Sequence, residues 1–153
     1  MFERSPSELT ERENYKLLIG SVIPRPVAVV TTKSAKDIVN IAPFSYFNIV
    51  SSNRPILSLA IQRKQDAVKD TAPALTEAKV RFETSLYEHV EIRNKNKVTA
   101  DLFLLEVQKY HLNETVYDDK TGRIDPRKLN AVSRLAGNDY AAIGEIFTIA
   151  RPE

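Results

Sequence analysis

Residues 40–48 read NIAPFSYFN, and this stretch is the most informative part of the 153-residue chain. Its polar residues are interleaved with small and aromatic ones around Pro43. Proline removes a donor from a strand's hydrogen-bond ladder, so we expect a break there, with free backbone groups near Ala42 and Phe44. Flat rings, free amides and hydroxyls suit a planar heteroaromatic ligand. A bulged edge strand with a half-buried aromatic face explains the same pattern, and the stretch alone leaves both interpretations open.

The overall composition is typical of a globular protein, with 42% hydrophobic and 27% charged residues. Its length predicts a single domain over residues 1–153. The 22 basic and 20 acidic residues give a net charge of only +2, so we expect no nucleic-acid partner. The absence of cysteine excludes disulfides and thiolate chemistry. A polar N-terminus and the lack of an apolar run of ~20 residues predict a cytoplasmic protein without a membrane partner.

Short alternating segments predict an all-β fold with one or two short helices. The predicted strands cover 27–32, 38–42, 44–50, 56–62, 80–90, 100–112 and 147–150. Helical turns are predicted at 7–13 and 126–129, a break at Gly20, and loops at 51–55, 91–97 and 113–125. Many short strands argue for a barrel or a sandwich, and a closed antiparallel barrel is favoured because it removes exposed edges.

The run Pro24-Arg25-Pro26 predicts a stiff, extended element, because two fixed φ angles flank Arg25. Such an element holds a side chain at low entropic cost. A plain strand entry explains the run equally well.

Metal and nucleophile chemistry find little support in the sequence. The two histidines, His89 and His111, lie on separate predicted strands, where a packed or surface histidine is the commoner role. There is no Ser-His-Asp pattern and no phosphate-binding glycine motif. We therefore expect no metal site and no catalytic side chain.

The basic, hydroxyl-bearing run from Arg63 to Thr71 is a candidate phosphate site. Arg63 and Lys69 supply charged donors, Thr71 supplies a hydroxyl, and a helix start near Val68 would add free amides. A solvated polar loop is the alternative. A planar-ring site at 40–48 followed by a phosphate site at 63–71 describes a mononucleotide such as FMN.

Taken together, VIPRPVAVVTT (22–32), NIAPFSYFN (40–48), Pro55 and KDT (69–71) resemble the flavin reductase-like family of FMN-binding split-barrel proteins. Residues 111–152 are similar to the family's C-terminal region. The resemblance covers most of the chain. It departs after Thr71, where several dozen residues are absent, including a strand that would help to close the barrel. Either the protein is a shortened member of the family, or the sequence omits a segment.

The resemblance implies a homodimer that binds FMN near the subunit interface and transfers hydride from NAD(P)H to flavin. A non-enzymatic FMN-binding carrier or electron-transfer protein is the alternative, and a flavin-free interaction module is a third possibility because of the missing segment. The implied flavin contacts are Arg25, Thr31, Thr32, Asn40, Ala42, Pro43, Phe44 and Ser45 at the ring and ribityl chain, and Arg63 with Lys69, Asp70 and Thr71 at the phosphate. The segment 134–140 is implied to pack near the site, from the same chain or from the partner subunit.

Overall fold

The structure is a computed structural model that describes residues 2–33, 39–63 and 77–150. Strands dominate these ranges. A 3-10 turn over Pro6–Glu8 comes first. The elements that follow are α1 (Glu11–Ser21), β1 (Arg25–Pro26), β2 (Ala28–Lys33), β3 (Val39–Phe44), β4 (Phe47–Ser51), β5 (Ile56–Gln62), β6 (Val80–Asn94), β7 (Lys97–Leu112), β8 (Tyr117–Asp118), β9 (Arg123–Ile124), α2 (Pro126–Leu129), β10 (Ser133–Arg134) and β11 (Tyr140–Ala141).

Helix α1 begins at a capping box. The Thr10 hydroxyl accepts from the Glu13 N–H at 3.2 Å, and the Glu13 carboxylate accepts from the Thr10 N–H at 2.8 Å. The predicted helix over 7–13 is wrong, because the capping signal occurs twice. The one at Ser5 starts only the 3-10 turn, and the one at Thr10 starts the helix.

Gly20 lies inside α1, so the predicted break there is also wrong. The helical ladder continues to the Val22 N–H, which donates to the Leu18 carbonyl at 3.0 Å. The Arg25 guanidinium donates to the carbonyls of Ile19 and Val22 at the helix C-terminus. A cation at this end of a helix is favourable, because the terminal carbonyls carry partial negative charge. This contact stabilises a helix end that contains a glycine.

Strands β2 and β3 form an antiparallel hairpin that continues through Pro43. Pro43 pairs with Val29, and the strand ends only at Phe44. Among the described residues β3 pairs with β2 alone, so Pro43 lies on an edge strand, where proline is tolerated. The predicted break at Pro43 is therefore wrong, and the chain bends instead at Ser45 and Tyr46.

The largest sheet has the order β4–β5–β7–β6 and contains most of the buried apolar side chains. Strand β5 has the predicted bounds of 56–62 and lies between β4 and β7. Leu57 and Leu59 on β5 are buried, as are Ala100 and Val107 on β7. The centre of this sheet therefore forms the core of the described chain.

Strands β6 and β7 form a long hairpin, and the predicted loop over 91–97 is wrong. The strands run to Asn94 and restart at Lys97, so only Lys95 and Asn96 form the turn. Lys95 adopts a positive φ of 53° there. The charges that suggested a loop belong to an exposed edge strand, since every residue of β6 after Val80 is exposed.

The C-terminal part contains small elements. Helix α2 has the predicted bounds of 126–129, and the Asp125 carboxylate caps it. The predicted loop at 113–125 contains the β8–β9 hairpin. The predicted strand over 147–150 is wrong, because residues 142–150 are exposed and outside any strand.

The described strands fall into four antiparallel sheets, ordered β1–β10–β11, β2–β3, β4–β5–β7–β6 and β8–β9. The predicted all-β class with short helices is confirmed. The ladders of the described part do not by themselves run continuously around a closed barrel. The Ala60 N–H donates to the Tyr46 carbonyl at 2.8 Å, which ties the end of the β2–β3 hairpin to the large sheet.

Candidate functional site

The β2–β3 hairpin places its candidate residues on two faces. Thr32 lies directly opposite Asn40, and Ala42 and Phe44 follow on the same face, because alternate residues of a strand share a face. Thr31 and Pro43 belong to the other face, which is more exposed. The hairpin thus brings together four of the predicted ring-binding residues and turns two away from them.

Asn40 carries an unusual polar atom. Its Oδ1 is buried and has no hydrogen-bond partner among the described residues. A buried amide oxygen without a donor is costly, so most such atoms are satisfied. This oxygen is therefore available to a ligand that offers an N–H or O–H.

Ser45 begins the bend after β3 and lines a cavity of about 420 Å³. The cavity lies between the C-terminal half of α1, the Pro24–Pro26 run and residues 45–48. Arg25 also lines it. The structure therefore brings two predicted site residues, Arg25 and Ser45, to one concave surface next to the hairpin.

Arg25 is 7% exposed, and three backbone carbonyls hold its guanidinium. Nη1 donates to Ile19 at 2.7 Å and to Val22 at 2.6 Å, and Nη2 donates to Leu135 at 2.6 Å. The stiff Pro-Arg-Pro element thus fixes the side chain, as one of the two sequence interpretations proposed. The Leu135 contact crosses 110 positions of sequence.

Tyr46 also lines the cavity and is half-buried. Burial is the main cause that raises the pKa of its phenol, and Tyr15 raises this pKa further while Arg25 lowers it. The phenol therefore keeps its proton at neutral pH and remains able to donate a hydrogen bond.

The segment 134–140, predicted to pack near the site, lies beside Arg25. Arg134 pairs with Arg25 between β10 and β1. The Arg134 side chain donates to the Tyr140 hydroxyl at 2.6 Å and to the Gly137 carbonyl at 2.7 Å. Its guanidinium also lies over the Tyr140 ring, 4.9 Å from the centroid. The segment therefore lies beside Arg25 within the same chain.

Arg63, the first predicted phosphate ligand, belongs to a charge cluster at the end of β5. Its Nε and Nη2 donate to the Asp101 carboxylate at 2.6 and 2.7 Å, and Nη2 also donates to Glu91 at 3.2 Å. His89 Nε2 lies 2.8 Å from Asp101 Oδ1, the oxygen that also accepts from Arg63 Nη2, and the His89 ring stacks on Phe103. Arg63 is thus already balanced by two carboxylates.

The Asp101 cluster was not recognised from the sequence. Hydrogen bonds from Arg63 and then His89 hold the pKa of Asp101 well below its usual range. Hydrogen bonding to Asp101 is likewise the main cause that raises the pKa of Arg63. Asp101 is 38 positions from Arg63 and 12 from His89, so only strand pairing brings the three together.

The remaining predicted residues are placed as follows. Lys69, Asp70 and Thr71, and the helix start expected near Val68, lie outside the described residues. His111 Nε2 lies 2.6 Å from a Glu83 carboxylate oxygen. Within the described ranges, no three histidine or acidic side chains are arranged to hold a metal ion. Neither helix of the described part has the length and apolar character needed to cross a membrane.

Comparison with known proteins places this geometry in a family. No protein-family model matches the sequence. The uncharacterized protein YwrF of Bacillus subtilis is 36% identical, and the alignment covers 99% of this chain and 100% of the relative. Nitrilotriacetate monooxygenase component B from Bacillus cereus is 31% identical, with a TM-score of 0.88 over 97% of this chain and 98% of the other.

A Shewanella frigidimarina protein described as a flavin reductase with a split barrel domain shares the fold. Its TM-score is 0.76 at 12% identity, over 99% of this chain and 100% of the other. The fold is therefore an all-β split barrel. The chain belongs to the flavin reductase-like family of FMN-binding split-barrel proteins, as its sequence motifs predicted.

The alignment with YwrF also bears on the missing segment. It runs over 204 positions, whereas this chain has 153 residues. Dozens of aligned positions therefore have no residue in this chain. This agrees with the internal shortening predicted from the motifs.

Proposed function

We propose that this protein binds FMN and acts as an NAD(P)H-dependent flavin reductase. Membership of the flavin reductase-like family carries the proposal. A bound flavin would supply the hydride chemistry, and the protein would supply binding, orientation and access. No acid–base side chain is needed for that role, which agrees with the lack of a catalytic side-chain set predicted from the sequence.

The ring end of the proposed site is the half-buried face of the β2–β3 hairpin and the bend after it. The unpartnered Oδ1 of Asn40 accepts hydrogen bonds, and flavin rings and ribityl chains offer N–H and O–H donors. Thr32 lies opposite Asn40, and the backbone from Ala42 to Ser45 follows on β3 and the bend. The family resemblance also assigns Arg25 and Thr31, of which Thr31 lies on the opposite face of the hairpin.

The phosphate end is proposed at Arg63 with Lys69, Asp70 and Thr71. Asp101 and Glu91 occupy Nε and Nη2 of Arg63, and Nη1 has no partner among the described residues. A guanidinium held in this way can still present a charged donor to a phosphate.

We further propose that the protein works as a homodimer. The support is the number of large apolar side chains exposed on the chain, among them Ile49 at 74%, Phe147 at 76% and Ile149 at 77%. Exposed apolar surface of this kind is typical of protein–protein contacts. Sedimentation that shows only monomer at micromolar concentration would contradict this part of the proposal.

The central test compares FMN with riboflavin, which lacks the phosphate. Lys69→Ala should weaken FMN about tenfold to a hundredfold, because a charge-assisted contact contributes about 1.5–3 kcal/mol. Riboflavin affinity should stay within about twofold. Fluorescence titration of both flavins into wild type and variant measures the effect. Equal losses for the two flavins would contradict the phosphate assignment.

A second measurement separates an enzyme from a carrier. The flavin-loaded protein should oxidise NADH or NADPH in the presence of excess FMN, followed by absorbance. Flavin binding without this turnover would indicate a non-enzymatic flavin carrier. Absence of flavin binding would contradict both the enzyme and the carrier hypotheses.

A further inference from the structure

Arg25 is a buried cation for which the described residues provide no acidic partner. Among the described residues its side chain donates hydrogen bonds to the carbonyls of Ile19, Val22 and Leu135, and its Nε is buried without a hydrogen-bond partner. Buried charges are normally paired with an opposite charge. The partial negative charge at the end of α1 compensates for only part of a full charge. An anion is therefore the partner that this guanidinium lacks.

Arg25 lines the 420 Å³ cavity, and no acidic residue is among the described residues that line it. One part of its wall is apolar, with Leu18 and Val22 of α1 and Phe47 of β4. Neutral polar side chains complete the wall, including Ser45 and Tyr46. Its volume lies within the range of small-molecule pockets, about 300–1,000 Å³. An apolar wall beside one unpaired cation matches an organic anion better than an inorganic one.

We propose that this cavity binds a small aromatic carboxylate. The carboxylate lies beside the Arg25 guanidinium and accepts from the Tyr46 hydroxyl, and the ring packs between α1 and Phe47. Because Ser45 belongs both to the cavity and to the proposed flavin stretch, the ligand lies beside the flavin. That last placement rests on the proposed function, whereas carboxylate binding does not.

The first test uses three probes of the same size and different charge. Benzoate, neutral benzamide and cationic benzylamine are titrated by calorimetry into the protein, with and without FMN. Benzoate should bind at least about tenfold more tightly than benzamide, and benzylamine should not bind. Equal affinity of benzoate and benzamide, or no benzoate binding at millimolar concentration, overturns the proposal.

The second test fills the cavity without changing Arg25, whose replacement risks the fold. Leu18 lines the cavity and is 61% exposed, and its neighbour Leu17 is 54% exposed and does not line it. Leu18→Trp should weaken benzoate at least about tenfold, whereas the matched Leu17→Trp should leave it within about twofold. The chain has no tryptophan, so each variant also carries a single fluorescent reporter of folding. Equal effects of the two variants on benzoate affinity would overturn the assignment of benzoate to this cavity.

A third test concerns the charge itself. Arg25→Gln should abolish the preference for benzoate over benzamide in protein that still melts cooperatively. Tyr46→Phe should weaken benzoate less than this, since it removes one neutral donor and leaves the cation. A benzoate preference that survives Arg25→Gln overturns the assignment of the anion partner.

The last measurement distinguishes this proposal from the flavin proposal. FMN titrated in saturating benzoate should bind with unchanged stoichiometry. Competition between benzoate and FMN means that the cavity is part of the flavin site and overturns a separate carboxylate site. If FMN does not bind at all, the proposed function fails, and the benzoate titrations still decide the carboxylate site.

Discussion

The central strands β5 and β7 of the four-stranded sheet contain buried apolar side chains, whereas the described β2–β3 hairpin contains none that is fully buried. Leu59 on β5 is 4% exposed, and Val29 on β2 is 49% exposed, although both are apolar residues in the middle of a strand. Strand β5 has a neighbour on each side, and β2 has only one among the described residues. The difference indicates that the centre of the sheet supplies most of the stability of the described chain, and it leaves the half-buried face of the hairpin to the proposed flavin site.

The polar groups of the two regions differ in the same way. In the sheet, the Asp101 carboxylate is bound by both Arg63 and His89. In the hairpin, Asn40 keeps a buried oxygen without a partner. Satisfied polar groups stabilise a fold, whereas unsatisfied ones reduce its stability and are often retained for binding.

The largest expected effect separates the two regions by stability. Leu59→Ala should lower the free energy of unfolding by about 2–5 kcal/mol, because it leaves a cavity in a packed core. The matched Val29→Ala should stay within about 0.5 kcal/mol, since it removes exposed atoms. Chemical denaturation of both variants measures the difference. Similar losses would show that the hairpin is packed as tightly as the sheet.

The next effect concerns binding. Asn40→Ala should weaken FMN and riboflavin alike, each by about tenfold, because the residue is assigned to the ring end. The flavin-free protein should be no less stable, since the lost oxygen has no protein partner. Flavin titrations test the expected loss of affinity, and thermal melts test the unchanged stability. Val29→Ala is the control from the other face of the hairpin. A less stable variant with unchanged flavin affinity would make Asn40 a structural residue.

The smallest effect lies in the charge cluster and depends on pH. The pKa of Asp101 is lower in the folded state than in the unfolded state, so its contribution is present above the unfolded pKa. This contribution disappears as the pH falls through the folded pKa. Asp101→Asn should therefore lower Tm by a few degrees at pH 7, since water screens a half-exposed Arg63. The difference in Tm between Asp101→Asn and wild type should become smaller below about pH 4.

Melting curves from neutral to acid pH test this sign. Asp119, which accepts no hydrogen bond among the described residues, is the control, and Asp119→Asn should change Tm little at any pH. A difference in Tm between Asp101→Asn and wild type that increases toward acid pH would contradict the assigned role of Asp101.

Several elements could be predicted from local sequence because their causes are local. The alternation at 56–62 predicted β5 with its bounds, and the run that starts at Pro126 predicted the short helix α2. The motifs at 22–32, 40–48 and 69–71 predicted the family. The predicted strand at 147–150 failed, because alternation indicates a strand only where another strand is available to pair with it.

The sequence alone determined the all-β class and the family, since strand alternation and short motifs act over a few positions. Only the tertiary structure decided that Pro43 stays within an edge strand, that Asp101 balances Arg63 and that Arg25 is buried beside a cavity whose described lining contains no acidic residue. These features depend on strand pairing and on carbonyls as far as 110 positions away. No local pattern specifies which distant groups become neighbours, and the chemistry of the candidate site is set by those neighbours.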